Sequence, residues 1–392
     1  MHSMKQLSSR TVSLAALAAV VATSPALRAG ASAQATAVAT ATSARSLPSR
    51  LSDSSFWKLT GDISEPGGFF RITDNFTSNE MEVGELSTML RTTGVSGGVF
   101  MGVGPEQNLS YIAAIRPKMA FIVDIRRQAV MQHLMFKAMF EMAKDRADFL
   151  TLLFAKPRPA GIDSTTTIIK IWEAYWNVPT DSALGRKTIE RVEERLTKTH
   201  GFTFTSDEAG QLRSVLEAFQ YYGPVISTRG APGGRGGGNS GGFADMTGRS
   251  YDSNGMVQSF LSSEDGYRYV KRLHEMNLIV AVSGDFGGPK AIRAIGAWVK
   301  EQGAVVSAFY VSNVEQYLFQ DGKAQAFYEN VATLPVNAKS VFIRPYSMRR
   351  FGGYGGGGLG GPIRSLCPIA AFLRTVEQGR IHTNDSALAC EP

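Results

Sequence analysis

The sequence predicts an α/β protein, built on a mostly parallel sheet with helices on both faces and a helical insertion. Two patterns carry this prediction. Wholly apolar runs of strand length, such as residues 99–101 and 278–282, alternate with longer helical patterns, as expected for parallel strands buried on both faces. Between about residues 151 and 228, charged helix-forming sequence interrupts the alternation. The chain has 392 residues, 43% of them hydrophobic, which is enough to bury such a core.

The N-terminal residues 1–33 have the pattern of a secretory signal peptide. Lys5 and Arg10 precede an apolar stretch at 12–22, and the small residues 31–33 form a cleavage site. The apolar stretch is shorter than the roughly 20 residues that cross a bilayer, so stable membrane insertion after signal removal is not expected. We therefore expect an exported protein, periplasmic or extracellular, with a lipid anchor as the alternative.

The first half of the α/β domain is expected over residues 51–150, after a disordered linker rich in Ala, Thr and Ser at 34–50. Thr77 and Glu80 have the spacing of a capping box and predict the start of a helix. A strand, a turn, a helix, a second strand and a long helix then follow at 99–101, 102–108, 110–115, 119–123 and 126–149. This order is the unit of a parallel sheet.

The second half of the domain is expected over residues 251–348. The helical insertion at 151–228 and a glycine-rich loop at 229–250 precede it. Within the insertion, one helix is predicted at 182–198, and the capping-box pair Thr205 and Glu208 predicts another that ends at Gly223. The parallel pattern resumes with strands at 278–282, 304–311 and 340–344 and a helix at 289–302, and a glycine-rich loop with the C-terminal tail occupies 349–392.

The turn after the first strand is the main candidate for ligand chemistry. It holds Gly102 and Gly104 and opens a helix, and Asp124 ends the next strand. Glycines let the backbone approach a ligand, a helix start offers free N–H groups, and an acid at the second strand end accepts the hydroxyl protons of a ribose. A small nucleoside-containing ligand is therefore expected. The candidate cofactor-binding residues are Gly102, Gly104, Glu106, Gln107, Asn108, Asp124, Ile125 and Arg126.

These residues resemble the class I S-adenosylmethionine-dependent methyltransferases, in which a glycine-rich first loop and an acidic second strand hold the cofactor. Phe100 stands where that family usually has an acid, and Glu106 stands where it has a third glycine. More closely, the stretch 56–148 resembles an uncharacterised family of conserved hypothetical proteins with a methyltransferase-like Rossmann fold. The segments that carry this second resemblance are 74–80, 102–108 and 123–127. The first resemblance implies a Rossmann-like fold, S-adenosylmethionine as cofactor and methyl transfer as the reaction, whereas the second implies the fold alone.

Two alternative functions remain open. The first is a non-catalytic scaffold for ligand sensing or protein interaction, because export would place the protein where S-adenosylmethionine is not expected. The second is an NAD(P)-binding oxidoreductase. The glycine pattern of dinucleotide-binding proteins, Gly-x-Gly-x-x-Gly, would place its third glycine at Gln107. Arg126 and Arg127 could bind the 2′-phosphate of NADP, but Asp124 beside them would repel it.

Substrate contacts are expected from residues that follow the later strands. In an open parallel sheet, ligands bind beyond the carboxyl ends of the strands. Asn79 and Glu80, ahead of the first strand, could fold over the same ligand, and helix capping is the alternative role for all of these residues. The candidate substrate-binding residues are Asn79, Glu80, Asp285, Asn313, Glu315 and Tyr317.

Other classes of site have little support in the sequence. The histidines have no metal-binding spacing, so no metal is expected. Basic residues are scattered among acids despite the net charge of +7, which argues against a nucleic-acid partner. Ser96 and Ser240 match Gly-x-Ser-x-Gly but lack the strand and helix that a nucleophile turn needs. Cys367 and Cys390 could form a disulfide in an oxidising compartment, with two free thiols as the alternative.

Overall fold

A six-stranded sheet lies at the centre of the computed structural model, which describes residues 46–71, 75–228, 241–344 and 365–390. Its strands are β1 (Val99–Gly102), β2 (Met119–Asp124), β3 (Ile279–Ser283), β4 (Val306–Tyr310), β5 (Val341–Ile343) and β6 (Leu366–Pro368). They are ordered β3-β2-β1-β4-β5-β6, and every neighbouring pair is parallel except β5 and β6. The expectation of an α/β protein with a mostly parallel sheet is confirmed.

The strands form where the sequence has short runs of apolar and β-branched residues. Every residue of β1 to β5 is buried, as parallel strands covered on both faces should be. β6 was not predicted, because its three residues Leu-Cys-Pro are too few to show a pattern and it lies after the glycine-rich stretch. It closes the sheet as an antiparallel edge strand.

Five helices precede or follow the first two strands along the chain: α1 (Asp53–Ile63), α2 (Val83–Thr92), α3 (Gln107–Ile115), α4 (Arg127–Met142) and α5 (Arg146–Phe154). Two sequence predictions are wrong here. The long helix expected at 126–149 is divided, because Asp145 accepts a hydrogen bond from Asp148 N at 2.9 Å and starts α5 as its N-cap. The helix expected from Thr77 begins only at Val83, and Glu80 does not cap it.

The connection from β2 to β3 also contains α6 (Ile168–Trp176), α7 (Ser182–Glu194), α8 (Ser206–Tyr222), α9 (Phe243–Gly248) and α10 (Glu264–Glu275). A π turn at Arg195–Thr199 continues α7. The Thr205 and Glu208 capping box is confirmed, with both of its hydrogen bonds formed. These helices pack on α4 and α5 through an aromatic cluster in which Phe219 contacts Phe136 and Phe154. The region predicted as an insertion is therefore helical and shares the core of the sheet.

The C-terminal helices are α11 (Ala291–Glu301), α12 (Val314–Gln320), α13 (Ala324–Ala332), α14 (Ile369–Glu377) and α15 (Asn384–Ala389). A disulfide joins Cys367 in β6 to Cys390 after α15, with 5.8 Å between the two Cα atoms. None of the helices in the described ranges is long and apolar enough to cross a membrane. The predicted signal at 1–33 and the centres of both glycine-rich stretches lie outside the described residues.

Candidate ligand-binding cleft

A cleft of about 340 Å³ opens at the carboxyl ends of β1, β2, β3 and β4. The segments that follow these strands line it, with residues at 103–105, 124–126, 284–286 and 312–314. The chain runs from β1 through β2 to β3 on one side and places β4 on the other side of β1, so the strand order reverses at the cleft. A reversal of this kind leaves a crevice in an open sheet, and the volume lies within the usual range for small-molecule sites.

The glycine-rich turn is held in place by Asn108. Its Nδ2 donates to the carbonyl oxygens of Val103, Gly104 and Pro105 at 2.9, 3.1 and 2.8 Å. A Cβ atom on Gly102 would lie 1.9 Å from Asn108 Oδ1, so this glycine makes room for the chain's own side chain. Gly104 has a φ of +76° and lines the cleft. Of the two glycines predicted to bind a ligand, only Gly104 therefore lines the cleft.

Asp124 and Arg126 form a buried ion pair at the end of β2. Arg126 donates its backbone N–H and its Nε to Asp124 Oδ1 at 2.9 and 3.1 Å, and its Nη2 to Oδ2 at 2.9 Å. The two residues are 5% and 7% exposed, and both line the cleft. The acid expected to meet a ribose is thus already oriented and partly neutralised by the chain itself.

A buried histidine supports the turn from behind. His133 on α4 donates its Nε2 proton to Gly104 O at 2.9 Å. Burial lowers the pKa of His133, so the ring is neutral at physiological pH.

Residues 64–71 cross the ends of β3 and β2 and lead to the cleft. Glu65 N donates to Ser283 O at 2.8 Å, and Gly68 N donates to Ile125 O at 2.7 Å. A Cβ on Gly68 would lie 2.6 Å from Ile125 Cγ1, so the close crossing needs glycine. The Glu65 carboxylate accepts the N–H of Ala291 at 2.8 Å at the start of α11. Sequence reasoning missed this segment, although two successive glycines, 67 and 68, marked a close backbone approach.

Aromatic side chains form one wall of the cleft. Phe69 is 78% exposed although it is apolar. Phe70 meets Tyr317 edge to face with 5.0 Å between the ring centroids, and the guanidinium of Arg71 lies 4.4 Å from the Tyr317 centroid. These rings offer apolar faces to a flat ligand group.

The structure brings about half of the candidate site residues together in the cleft. Those that line it are Gly104, Asp124, Ile125, Arg126, Asn79, Asp285, Asn313 and Tyr317. Those outside its lining are Gly102, Glu106, Gln107, Asn108, Glu80 and Glu315. Asp285 pairs with Lys323 at 2.6 Å, and Lys323 also lines the cleft.

Glu315 takes a structural position and not the expected place at the rim. Its carboxylate accepts from Arg344 Nε at 2.6 Å and Nη2 at 2.7 Å, and from the Tyr328 hydroxyl at 2.9 Å. Both members of the ion pair are fully buried. The partner Arg344 lies far along the chain, so spacing gave no sign of the pair.

Comparison with known proteins identifies the family. Residues 75–223 and 245–357, more than half of the chain, match the model of a domain of unknown function, DUF7790. The chain belongs to the DUF7790 family. The expectation of an uncharacterised family is confirmed, whereas no methyltransferase family is shown. Among curated proteins, none matches the chain.

The DUF7790 chain buries two carboxylates directly behind the cleft. Glu80 accepts from the hydroxyls of Ser312 and Tyr310, each at 2.5 Å. Glu106 accepts the backbone N–H of Ser78 at 3.2 Å. Burial raises the pKa of both carboxyls to about 7, although the hydrogen bonds oppose the shift.

Gln107 connects Glu80 to the neighbouring polar groups. Its Nε2 donates to Glu80 Oε2 at 3.2 Å and to the Tyr111 hydroxyl at 2.8 Å, and its Oε1 accepts from Ser78. The three residues expected to touch a cofactor at 106–108 therefore form internal hydrogen bonds. Sequence reasoning placed Glu80 near the site but gave no sign of this network.

Proposed function

We propose that the cleft of this DUF7790 chain binds a small nucleoside-containing ligand, S-adenosylmethionine or a related nucleoside. The observation that carries the proposal is that the Gly104 turn and Asp124 line one cleft where the strand order reverses. The order β3-β2-β1-β4-β5-β6 is that of Rossmann-like doubly wound folds, which bind nucleotide ligands at this place. This likeness supports a Rossmann-like description of the sheet.

The proposed ribose site is the carboxylate of Asp124. Arg126 uses one acceptor position on Oδ2, and a carboxylate oxygen has a second position that a hydroxyl can use. Phe69 and Ile125 supply apolar surface nearby for the base. The turn at Gly104 brings backbone close to the remainder of the ligand.

Methyl transfer is the reaction that we propose for such a cofactor. Asn79, Asp285 and Asn313 line the same cleft and supply polar groups for an acceptor. We further propose that the protein is exported. The signal pattern at 1–33 supports this, and so does the Cys367–Cys390 disulfide, because disulfides persist in oxidising compartments. N-terminal sequencing of the native protein tests export, and an intact N-terminus would contradict it.

One observation favours a second function, that of a non-catalytic ligand sensor. Asp124 and Asp285 are both held in ion pairs within the cleft, with Arg126 and Lys323 as partners. Carboxylates fixed in ion pairs can orient a ligand, because their positions are set before the ligand binds. Binding without turnover would agree with this second function.

Calorimetric titration of the intact chain tests the nucleoside proposal. We expect heat of binding from S-adenosylmethionine and its demethylated product. We expect less heat from NAD, because Gln107 stands where dinucleotide-binding proteins have a third glycine, and less from NADP, because Asp124 also repels its 2′-phosphate. Asp163→Asn serves as a control, since Asp163 is exposed and does not line the cleft. If none of the four compounds gave heat with the folded chain, the proposal would be contradicted. If the chain bound NADP more tightly than the other three, the NAD(P)-binding oxidoreductase alternative would be favoured.

A further inference from the structure

Ser312 has an unusual backbone conformation for its place in the fold. Its φ is 47°, in the left-handed region of backbone conformation that residues other than glycine rarely adopt. Four other non-glycine residues in the described ranges have positive φ: Arg116, Ala155, Asn277 and Cys390. Three of these are C-caps of helices, and Asn277 follows the C-cap of α10 and tolerates this region well. Ser312 instead lies between β4 and α12, so helix termination does not explain it.

The Ser312 hydroxyl lies in the cleft and is bonded to a buried acid. Ser312 lines the cleft, and its Oγ donates to Glu80 Oε1 at 2.5 Å. Glu80 is 3% exposed, so the carboxylate reaches the cleft only through this hydroxyl and that of Tyr310. A serine hydroxyl that donates to a carboxylate and lies on a strained turn has the arrangement of an activated nucleophile.

The base is itself oriented by further groups. Tyr310 donates to Glu80 Oε2 at 2.5 Å, and Gln107 donates to the same oxygen at 3.2 Å. Gln107 is fixed in turn by Tyr111 and Ser78. Ser312 in the cleft lining and Glu80 behind it, with the groups that orient Glu80, therefore have the arrangement of a nucleophile, its base and the residues that orient the base.

We propose that Ser312 is a nucleophile, that Glu80 is its general base, and that the cleft accepts a carboxylic ester for acyl transfer. The setting of Ser312 supports this role, because the residue is half-buried in the cleft wall and lies on a strained turn that leads from a parallel strand into a helix, as a nucleophilic serine does. The inference goes beyond nucleoside binding and does not depend on it.

Ser312 Oγ attacks the ester carbonyl carbon while its proton moves to Glu80, which forms a C–O bond and a tetrahedral oxyanion. Collapse breaks the bond to the leaving alkoxide, which takes the proton from Glu80 and departs as an alcohol. Water then repeats the sequence on the acyl-serine, releases the carboxylic acid and restores Ser312. A base with a pKa near neutrality suits both proton transfers, and burial raises the pKa of Glu80 to about 7.

A fluorophosphonate probe tests the proposal without knowledge of the substrate. Attack by Ser312 forms a P–O bond, breaks the P–F bond and releases fluoride, and the proton passes to Glu80. We expect mass spectrometry of the intact chain to show one adduct on Ser312, absent in Ser312→Ala. Glu80→Gln should slow labelling by about 100-fold, because a carboxamide does not take up the proton.

Two further variants keep the result interpretable. Ser312→Gly also lacks the hydroxyl and suits the positive φ, so it replaces Ser312→Ala if that variant does not fold. Thr88 donates its hydroxyl to Asp252 Oδ2 at 2.8 Å outside the cleft lining, so Thr88→Ala removes a similar bond and should leave labelling unchanged. The proposal is overturned by absence of an adduct on the folded wild-type chain, by labelling that persists without the Ser312 hydroxyl, or by an unchanged rate in Glu80→Gln.

Discussion

Arg126 binds the Asp124 carboxylate with both its side chain and its backbone N–H in the lining of the cleft. The side-chain contacts join Nε to Oδ1 at 3.1 Å and Nη2 to Oδ2 at 2.9 Å. This pair orients the carboxylate before any ligand arrives. A nucleoside would therefore add a hydrogen bond to an acid whose position is already fixed, which reduces the entropy lost on binding.

Asp124→Ala should weaken both ligand binding and the fold. Nucleoside affinity should fall by about 1–3 kcal/mol, because the ribose hydroxyls lose a charged acceptor. The free energy of unfolding should fall by roughly 3–5 kcal/mol, because Arg126 is left buried without its partner. Calorimetric titration and urea unfolding measure the two effects.

The double variant Asp124→Ala/Arg126→Met separates the two effects. Removing both charges should restore most of the stability but none of the affinity, since the unpaired cation is gone while the ribose acceptor is still missing. If the folded double variant bound the nucleoside as tightly as the wild type, Asp124 would not belong to the site.

Much of the sheet and the location of the cleft could be predicted from local sequence. Parallel strands are buried on both faces, so continuous apolar runs marked β2 and β3 to within about two residues. Because parallel strands end at one edge, Gly104, Asp124 and Asp285 could be placed in one cleft from their positions after strands.

The side-chain partners behind the cleft could not be predicted in this way. Thr77 and Glu80 match a local capping box, yet Glu80 bonds to Tyr310, 230 residues away along the chain. The three hydrogen bonds that Glu80 accepts in this buried site outweigh the single bond that a helix cap would supply. Glu315 was wrongly predicted to contact substrate for the same reason. It lies in α12 after β4, whereas its partner Arg344 follows β5, so no local pattern connects the two residues.

Glu106→Gln should make the stability of the protein less dependent on pH. Burial raises the pKa of Glu106 to about 7, with the nearby charge of Glu80 acting in the same direction. The folded state therefore holds a proton that the unfolded state releases above about pH 4.5, and wild-type stability falls as pH rises from there to about 7. At pH 8 the buried Glu106 carboxylate lowers the free energy of unfolding by on the order of 3 kcal/mol, and Glu106→Gln avoids this loss.

Urea unfolding at pH 5 and pH 8 measures this effect. Glu106→Gln should gain stability relative to the wild type at pH 8 and little at pH 5. Glu173→Gln is the matched control, because Glu173 is exposed, and its effect should be the same at both pH values. An equal effect of Glu106→Gln at both pH values would show that Glu106 titrates normally in the folded protein.

Glu315→Ala should destabilise the fold by roughly 3–5 kcal/mol. Arg344 is fully buried, and its charge would remain without a carboxylate, held only between the rings of Phe342 and Phe372. The double variant Glu315→Leu/Arg344→Met replaces both charges with apolar side chains and should recover most of this loss. Urea unfolding compares the two variants, and nucleoside titration of the folded double variant should match the wild type, since Glu315 does not line the cleft. Loss of nucleoside binding in the folded double variant would mean that Glu315 belongs to the ligand site after all.

Reduction of the Cys367–Cys390 disulfide should lower the free energy of unfolding by about 3 kcal/mol, because the bridge closes a loop across a sequence separation of 23 and so restricts the unfolded chain. The loss should begin at the edge of the sheet, where β6 pairs only with β5. Cys367→Ala/Cys390→Ala should show the same loss without reductant, and reductant should not change it further. An unchanged urea midpoint of the wild-type chain after complete reduction would mean that packing of Cys367, Ile369 and Phe372 in the core holds the C-terminal segment without the bridge.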